Sequence, residues 1–365
     1  MNILMVWSRF LPEMGGIETH IHEVGRRLHE AGHRVTVLTT DRSGHLPINE
    51  TISGINVQRV PAWPKKSDYY FSPHIFSHIV SSRWDIIHIQ GYHTLVAPMA
   101  MLAALVSNQP YVLTFHSGGH SSPTRTSIRP LQRKVLRPLL TRARHLIGVS
   151  EFEANYFSSS TGIDIKRFSV IANGADFSRE ESREKPSGNL ILSVGRLERY
   201  KGHHRAIGAM PYLLSEKPDA ELHVIGAGPA HGELHALAVR IGVEANVKIY
   251  AWDPKDRKGL AEQMGRAGLV VLLSDYEAHP IAVMEALALR RSVLTTHCTG
   301  FMELAEKGWI KTVPLDADDR TIAKSMLAAL GGKLEKSANL PSWDDTARSI
   351  ESVYRKVLKD EPLSA

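Results

Sequence analysis

Sulfur chemistry is nearly absent from this sequence, whose 365 residues include one cysteine, Cys298. An internal disulfide is excluded, and the composition fits a reducing compartment. Long hydrophobic runs are missing too. No stretch approaches the roughly eighteen apolar residues expected of a membrane-spanning helix. The opening residues MNILMVW have neither a basic n-region nor a small-residue cleavage site, so they read as a buried strand and not as a secretion signal. Low-complexity tracts and short-period repeats are also absent. Together these absences lead us to expect a cytoplasmic globular enzyme or binding protein.

What is present is charge, unevenly placed. The chain carries 44 Lys+Arg against 38 Asp+Glu, a net charge of +6. Residues 1–176 hold 18 of the basic and 12 of the acidic residues, and the remainder holds 26 of each. The excess therefore lies in the first half, which suggests an anionic partner for that half. Its densest part is residues 125–144, with Arg125, Arg129, Arg133, Lys134, Arg137, Arg142 and Arg144 and no acid. Ile128, Leu131, Val135, Leu136, Leu139 and Leu140 form an apolar face beside them. The plain account is a core helix with a solvated basic side, kinked by Pro138. The sharper one is contact with an anionic membrane surface or a lipid-pyrophosphate acceptor, which would make the protein peripheral on the inner membrane face. Nucleic acid is disfavoured, because no aromatic residues interleave with the charge.

Short apolar runs alternate with helical patterns throughout. They fall at residues 3–6, 35–38, 86–89, 112–115, 146–149, 190–194, 222–225, 247–250, 269–273 and 293–295. Continuous apolar strands separated by helices imply parallel sheets covered on both faces, hence an α/β fold. Ile21, Val24 and Leu28 show the 3.6-residue spacing of a helix, closed by Gly32. The polar stretch 177–189, with Pro186 and Gly188, reads as a linker. It divides an N-terminal domain (1–176) from a second strand-helix series (190–341). A final segment (342–365) carries Ala347, Ile350, Val353, Tyr354 and Val357 on one stripe, so it must dock on something.

Four strand-end segments carry the chemistry. In DYEAHPIAVMEALAL, Glu277 and Glu285 stand seven residues apart, after an apolar strand and around a helix start near Pro280. Strand ends of this kind bind ligands, and helix N-termini attract phosphate. If the segment were all helix, the acids would lie roughly 12 Å apart along its axis. The bland alternative is two solvated glutamates. In GRLERYKG, Arg196 and Lys201 could neutralise a diphosphate as it departs, or could simply be a basic surface loop. Gly15 and Gly16 permit close backbone approach to a ligand at the start of a helix, though a plain turn is possible. His116, in TFHSGG, would end another strand, where a lone histidine is more often structural.

Together the four resemble the retaining glycosyltransferases of family four, which have the GT-B fold. The resemblance covers nearly the whole chain. It includes Gly15 and Gly16, the Thr-x-His stretch of His116, the Asn-Gly-x-Asp turn at 173–176, Arg196 and Lys201, the Gly-x-Gly-Pro turn at 226–229 and the E-x7-E pair. It implies two Rossmann-like domains facing across a cleft: an acceptor-binding N-terminal one and a nucleotide-sugar-binding C-terminal one, the last helix crossing back to the first. It implies transfer with retention from a nucleotide-diphosphate sugar, UDP- or GDP-linked, to a glycan or lipid-linked acceptor, with no metal and no cofactor. Glu277 would contact the donor sugar, Glu285 the ribose, Arg196 and Lys201 the diphosphate, and His116 the transferred sugar. Tyr250 and Trp252 would lie by the base, with Ile281 and Ala282 also facing the donor. The chain departs from the family at Ala278-His279-Pro280, where Gly-Phe-Gly is usual, and at Arg290-Arg291-Ser292, where Gly-x-Pro is usual.

Competing readings are a 2-epimerase of the same shape and a non-catalytic nucleotide-sugar-binding subunit. The dinucleotide fingerprint is broken, since Gly226-x-Gly228 meets His231 at its last position. Asp316-Ala317-Asp318 spells D-x-D, but helix capping near Asp319 accounts for it better. His116 and His120 have i,i+4 spacing, but the glycines between them argue against a metal-binding helix.

Overall fold

A computed structural model describes residues 1–13, 15–64, 71–116, 123–177, 186–253, 256–332 and 338–359. All ten apolar runs are strands in it. The chain divides into two compact units. The first comprises Met1–Ser117, Thr124–Asn173 and Trp343–Ala365, and the second is chiefly Gly174–Ser342.

In the first unit the order is β1 (Asn2–Val6), α1 (Gly16–Glu30), β2 (Arg34–Asp41), β3 (Asn49–Ile52), β4 (Ile55–Pro61), α2 (Pro73–Val80), β5 (Ile86–Gln90), α3 (Val96–Val106), β6 (Tyr111–Thr114), α4 (Pro123–Leu140), β7 (His145–Gly148), α5 (Glu151–Thr161) and β8 (Phe168–Val170). The sheet runs β3-β4-β2-β1-β5-β6-β7-β8, parallel except for the β3–β4 hairpin. Its direction of growth reverses between β1 and β5, so the loops after those strands diverge and leave room for a ligand.

In the second unit follow β9 (Leu190–Val194), α6 (His203–Glu216), β10 (Glu221–Ile225), α7 (His231–Arg240), β11 (Val247–Tyr250), α8 (Arg257–Arg266), β12 (Leu269–Leu272), α9 (Ile281–Ala288), β13 (Val293–Thr296), α10 (Thr299–Glu306), β14 (Lys311–Val313) and α11 (Asp319–Ala329). This sheet is wholly parallel, ordered β11-β10-β9-β12-β13-β14, with its reversal between β9 and β12. The last helix, α12 (Trp343–Lys359), belongs to the first unit, where it packs on α1. Its predicted stripe is buried, with Ile350 and Tyr354 inaccessible to solvent.

Three expectations are adjusted. Phe177, read as linker, is buried in the core of the second unit among Leu260, Val283 and Leu287; most of the remaining linker, residues 178–185, lies outside the described residues. The apolar face of α4 splits. Leu136 and Leu140 are buried, Leu139 is half-buried against the core, and Leu131 and Val135 are 62% and 66% exposed. Arg133, read as part of the solvated basic side, is buried and lies over the Tyr156 ring. The Ile128 side chain and His120 lie outside what is described. Asp318 caps α11 by accepting a hydrogen bond from the Thr321 N–H at 2.8 Å.

The departure at Arg290 has a structural counterpart. Helix α9 ends with Arg290 N–H bonded to Leu287 O (2.9 Å) and Arg291 N–H to Ala286 O (2.8 Å). That closure requires a left-handed residue, and Arg290 sits at φ +57. A side chain in this conformation is strained where glycine is not. Arg290→Gly is therefore expected to raise stability by about 0.5–1 kcal/mol. Denaturant unfolding of the two proteins measures it, and a loss of stability would contradict the strain.

Candidate functional site

The second unit gathers its polar side chains at the β9/β12 reversal. After β9 the chain passes through Arg196 and Lys201 to Gly202, which has φ +74. A Cβ on Gly202 would stand 1.8 Å from Leu273 O, so only glycine lets this loop press against the end of β12. His203 holds the same loop from below. Its Nδ1 accepts from Ser193 Oγ–H (2.8 Å) and its Nε2–H donates to Arg196 O (3.2 Å). Burial pushes His203 down to about 4, so it stays neutral in this bridging role.

The close approach brings Lys201 Nζ to 2.6 Å from Glu277 Oε1. Both side chains are largely buried, at 17% and 8% exposure. Ser274 Oγ–H donates to the same oxygen at 2.8 Å. Burial works against the Lys201 charge, but the Glu277 carboxylate more than compensates and raises its pKa above the ordinary lysine value. The backbone of Glu277 is fixed by Thr299. Thr299 Oγ1 accepts from Glu277 N–H (2.9 Å) and donates to Glu277 O (2.6 Å), while Thr299 itself is held at φ +36. Strain of this kind persists where the surroundings over-determine it. Glu277 thus lies in the loop before α9 and not on the helix, so the axial distance expected for an all-helical segment does not apply.

Glu285 lies on α9 with its side chain 4% exposed, ion-paired to Arg257. Arg196 is 38% exposed and pairs with Glu198 at 3.0 Å. Ile281 and Ala282, half-buried, form the first turn of α9 after Pro280, which is the N-cap and not the first helical residue. Tyr250, the last residue of β11, and Trp252, two residues beyond it, have ring centroids 6.3 Å apart. The Tyr250 hydroxyl is 3.1 Å from His223 Nδ1, and Trp252 Nε1–H donates to Asp256 O at 2.9 Å.

In the first unit, Gly15 is the N-cap of α1 and Gly16 its exposed first residue, at the β1 strand end. His116 follows β6 at φ +45, buried, with Nε2–H donating to Gln90 Oε1 at 2.7 Å. His20 packs edge-on to it at 4.6 Å and donates from Nδ1 to Asn173 Oδ1 at 2.8 Å. His88 completes the cluster, bonded to Tyr354 of α12 (2.5 Å) and to Thr114 Oγ1 (2.7 Å). Burial, then the other histidines His20, His88 and His93, drive His116 well below the ordinary histidine value. It is therefore a neutral polar group at pH 7. Sequence reasoning missed Ser274, Thr299, Arg257, Gln90 and the histidine cluster. None forms a motif by spacing; each is recognisable only once strand ends meet. Among the described residues no group of three or more His, Cys, Asp or Glu is arranged to hold a metal ion.

The chain is similar to known proteins over nearly its whole length. Residues 14–179 match the model of Glycosyltransferase Family 4, and residues 175–340 match Glycosyl transferases group 1. The gpi3 subunit of the phosphatidylinositol N-acetylglucosaminyltransferase of Schizosaccharomyces pombe is 23% identical over 98% of this chain and 81% of its own. The phosphatidyl-myo-inositol mannosyltransferase of Mycolicibacterium smegmatis is 26% identical, covering 97% of this chain and 90% of its own. Among solved structures, the Anabaena protein HepE in complex with UDP and glucose superposes with a TM-score of 0.72 at 18% identity, over 97% of this chain and 99% of its own.

The buried neutral histidines carry a pH signature. Burial lowers His20 to about 4 from an ordinary 6.5. A group depressed on folding contributes stability that is present above its unfolded pKa and lost as pH falls toward the folded one. Between pH 7 and 5, before carboxylates titrate, His20 alone should remove about 2 kcal/mol. Denaturant unfolding across that interval measures it, and a flat profile would contradict neutral burial.

Proposed function

The chain belongs to glycosyltransferase family 4, with the GT-B fold, and from that premise we propose that it transfers a sugar, with retention, from a UDP- or GDP-sugar to a lipid-linked or cell-surface glycan precursor. The carrying observation is the Lys201–Glu277 pair at the β9/β12 reversal. The ammonium has three donors. One is used on Glu277, and the others are available to the diphosphate. Arg196 supplies a second cation from the same loop. Glu277, held by Ser274 and Thr299, presents a fixed acceptor to hydroxyls of the donor sugar.

In the reaction, the bond from the anomeric carbon to the diphosphate oxygen breaks, and negative charge grows on that oxygen. Arg196 and Lys201 stabilise the charge. The acceptor hydroxyl attacks from the face the diphosphate leaves and gives its proton to the departing phosphate oxygen, so no enzymic nucleophile is consumed. His116, neutral and oriented by Gln90, serves as a hydrogen-bonding wall for the transferred sugar. Gly15 and Gly16 let the α1 N-terminus approach phosphate. No metal enters this scheme.

The lipid-linked acceptor is supported by two observations. Relatives of this chain are named for phosphatidylinositol substrates. Leu131 and Val135 are exposed on the basic helix α4, near Lys134 and Arg137. Such a face suits peripheral contact with an anionic leaflet, each cation there contributing about 1 kcal/mol. Among the described residues no helix is long and apolar enough to cross a membrane.

Four outcomes are expected. Glu277→Ala should abolish transfer while the circular dichroism spectrum is retained. Lys201→Ala should slow turnover by about 10²–10³-fold and weaken UDP or GDP binding far less, because the charge develops in the transition state. A chelator should leave the rate unchanged, and strict dependence on a divalent ion would overturn the scheme. For the membrane face, the triple variant Leu131→Ser, Lys134→Gln, Val135→Ser should lose salt-sensitive co-sedimentation with anionic vesicles. Wild-type indifference to such vesicles at low salt would point to a water-soluble acceptor.

A further inference from the structure

The second acid of the E-x7-E pair has a partner that no motif supplied. Glu285 is buried, and the Arg257 guanidinium ion-pairs with its Oε1. A buried carboxylate without a counter-charge is strongly destabilising, so a cation beside it is a physical requirement. Arg257 is the first residue of α8, just beyond the Trp252 loop. Its guanidinium lies over the Phe177 ring, 4.7 Å from the centroid. Phe177 is only 8% exposed, packed with the residues of α8 and α9 that surround it. The guanidinium thus rests between the buried Phe177 ring and the Glu285 carboxylate. An arginine suits this chain of contacts because it stacks and pairs through the same planar group, which a lysine cannot do.

We infer that Arg257 is a positioning residue for ribose recognition, holding Glu285 in the orientation that meets the ribose diol of a nucleoside diphosphate. The inference rests on the reading of Glu285 as the ribose acid. Arg257 acts through that acid and touches no reacting atom. A carboxylate offers about four acceptor sites, more than the one that the Arg257 guanidinium occupies, so a bound ribose and the arginine can share it. Phe177 is the third member. It adjoins the point where the chain enters the second unit, at Asn173–Gly174, so the same contact anchors that entry.

The test is calorimetric titration of the full chain with UDP, GDP and ADP and with the 2′,3′-dideoxy form of whichever base wild type accepts. Wild type, Arg257→Ala, Arg257→Lys and Glu285→Gln are compared, with thermal unfolding to establish that each is folded. Arg257→Ala is expected to weaken the ribonucleotide about tenfold and the dideoxy form less than about twofold, the size of one charge-assisted contact. Arg257→Lys, which keeps the charge but not the stacking plane, should recover only part of the difference. In turnover the loss should appear in KM more than in kcat. Equal weakening of the ribo and dideoxy forms would overturn the inference, because Arg257 would then serve the base or the phosphates. A Glu285→Gln variant that loses ribose preference beside an Arg257→Ala variant that keeps it would overturn the inference alone. Retention of full ribose preference by Glu285→Gln, or no binding of any of the three diphosphates, would overturn the donor reading and the inference with it.

Discussion

A carboxylate taken out of water needs a cation, and much of the β9/β12 edge of the second unit is arranged around that need. Glu277 is 6% exposed, and Lys201 is its counter-charge. The two come from loops separated by 76 positions in sequence, so the pair exists only because β9 and β12 are neighbours in the sheet. The approach is close enough only because Gly202 has no side chain to strike Leu273 O. Thr299 and Gly300 grip the backbone of Glu277 from α10, the latter through its N–H to Glu277 O at 2.9 Å. Removing one partner of such a pair leaves a buried charge exposed to the full desolvation cost, whereas the intact pair is nearly neutral in energy. The arrangement therefore contributes fixed geometry at the β9/β12 reversal, more than it contributes stability.

The parallel core was legible because its strands are buried on both faces and need no polar alternation. Most of the ten runs stood out as predominantly apolar segments, even where a His, Ser or Lys such as His88, Ser193, His223 or Lys248 falls within them. The four strands that escaped notice are a two-stranded hairpin and two three-residue edge strands. β3 and β4 form a hairpin across Ser53 and Gly54, both at positive φ, and β4 alternates buried and accessible residues in its pairing with β3. β8 and β14 are edge strands of three residues each. The signals for the hairpin were present, in the Ser-Gly turn and the Ile55, Val57, Arg59 alternation, but they have a period of two and not the continuous pattern sought.

The site was legible in part for a different reason. Arg196, Lys201, Glu277 and Glu285 sit in segments whose local order carries a family pattern, and the structure brings Lys201 and Glu277 into contact while leaving Glu285 with a partner of its own. The residues that hold them were invisible. Ser274 and Thr299 are ordinary hydroxyl residues in sequence, and Arg257 is one of 44 basic residues. Gln90, His20 and His88 acquire meaning only when β5, β6 and α1 bring their ends together. Spacing along a chain can announce a residue that touches ligand. It carries little about a residue whose task is to hold another still. The same limit applied to α4, where a uniform apolar stripe divides into buried Leu136 and Leu140 and exposed Leu131 and Val135 only once the helix is set on its sheet.

The final helix packs on the first one. The amino group of Met1 lies 3.1 Å from His33 Nδ1, and His33 Nε2 lies 3.0 Å from Glu351 of α12. The second unit is thus an insertion within the first. During synthesis the first unit stays without its closing helix until the whole second unit has emerged from the ribosome. The apolar flank of α1 that α12 covers, and His88 that Tyr354 caps, remain open for that interval. The order of assembly is then the reverse of the order of reading: the later unit closes as a continuous piece before the earlier one is complete. For the same reason a cut after residue 173 does not yield a finished N-terminal unit. A circular permutant that carries α12 ahead of β1 would supply the helix that packs on α1 within one continuous segment.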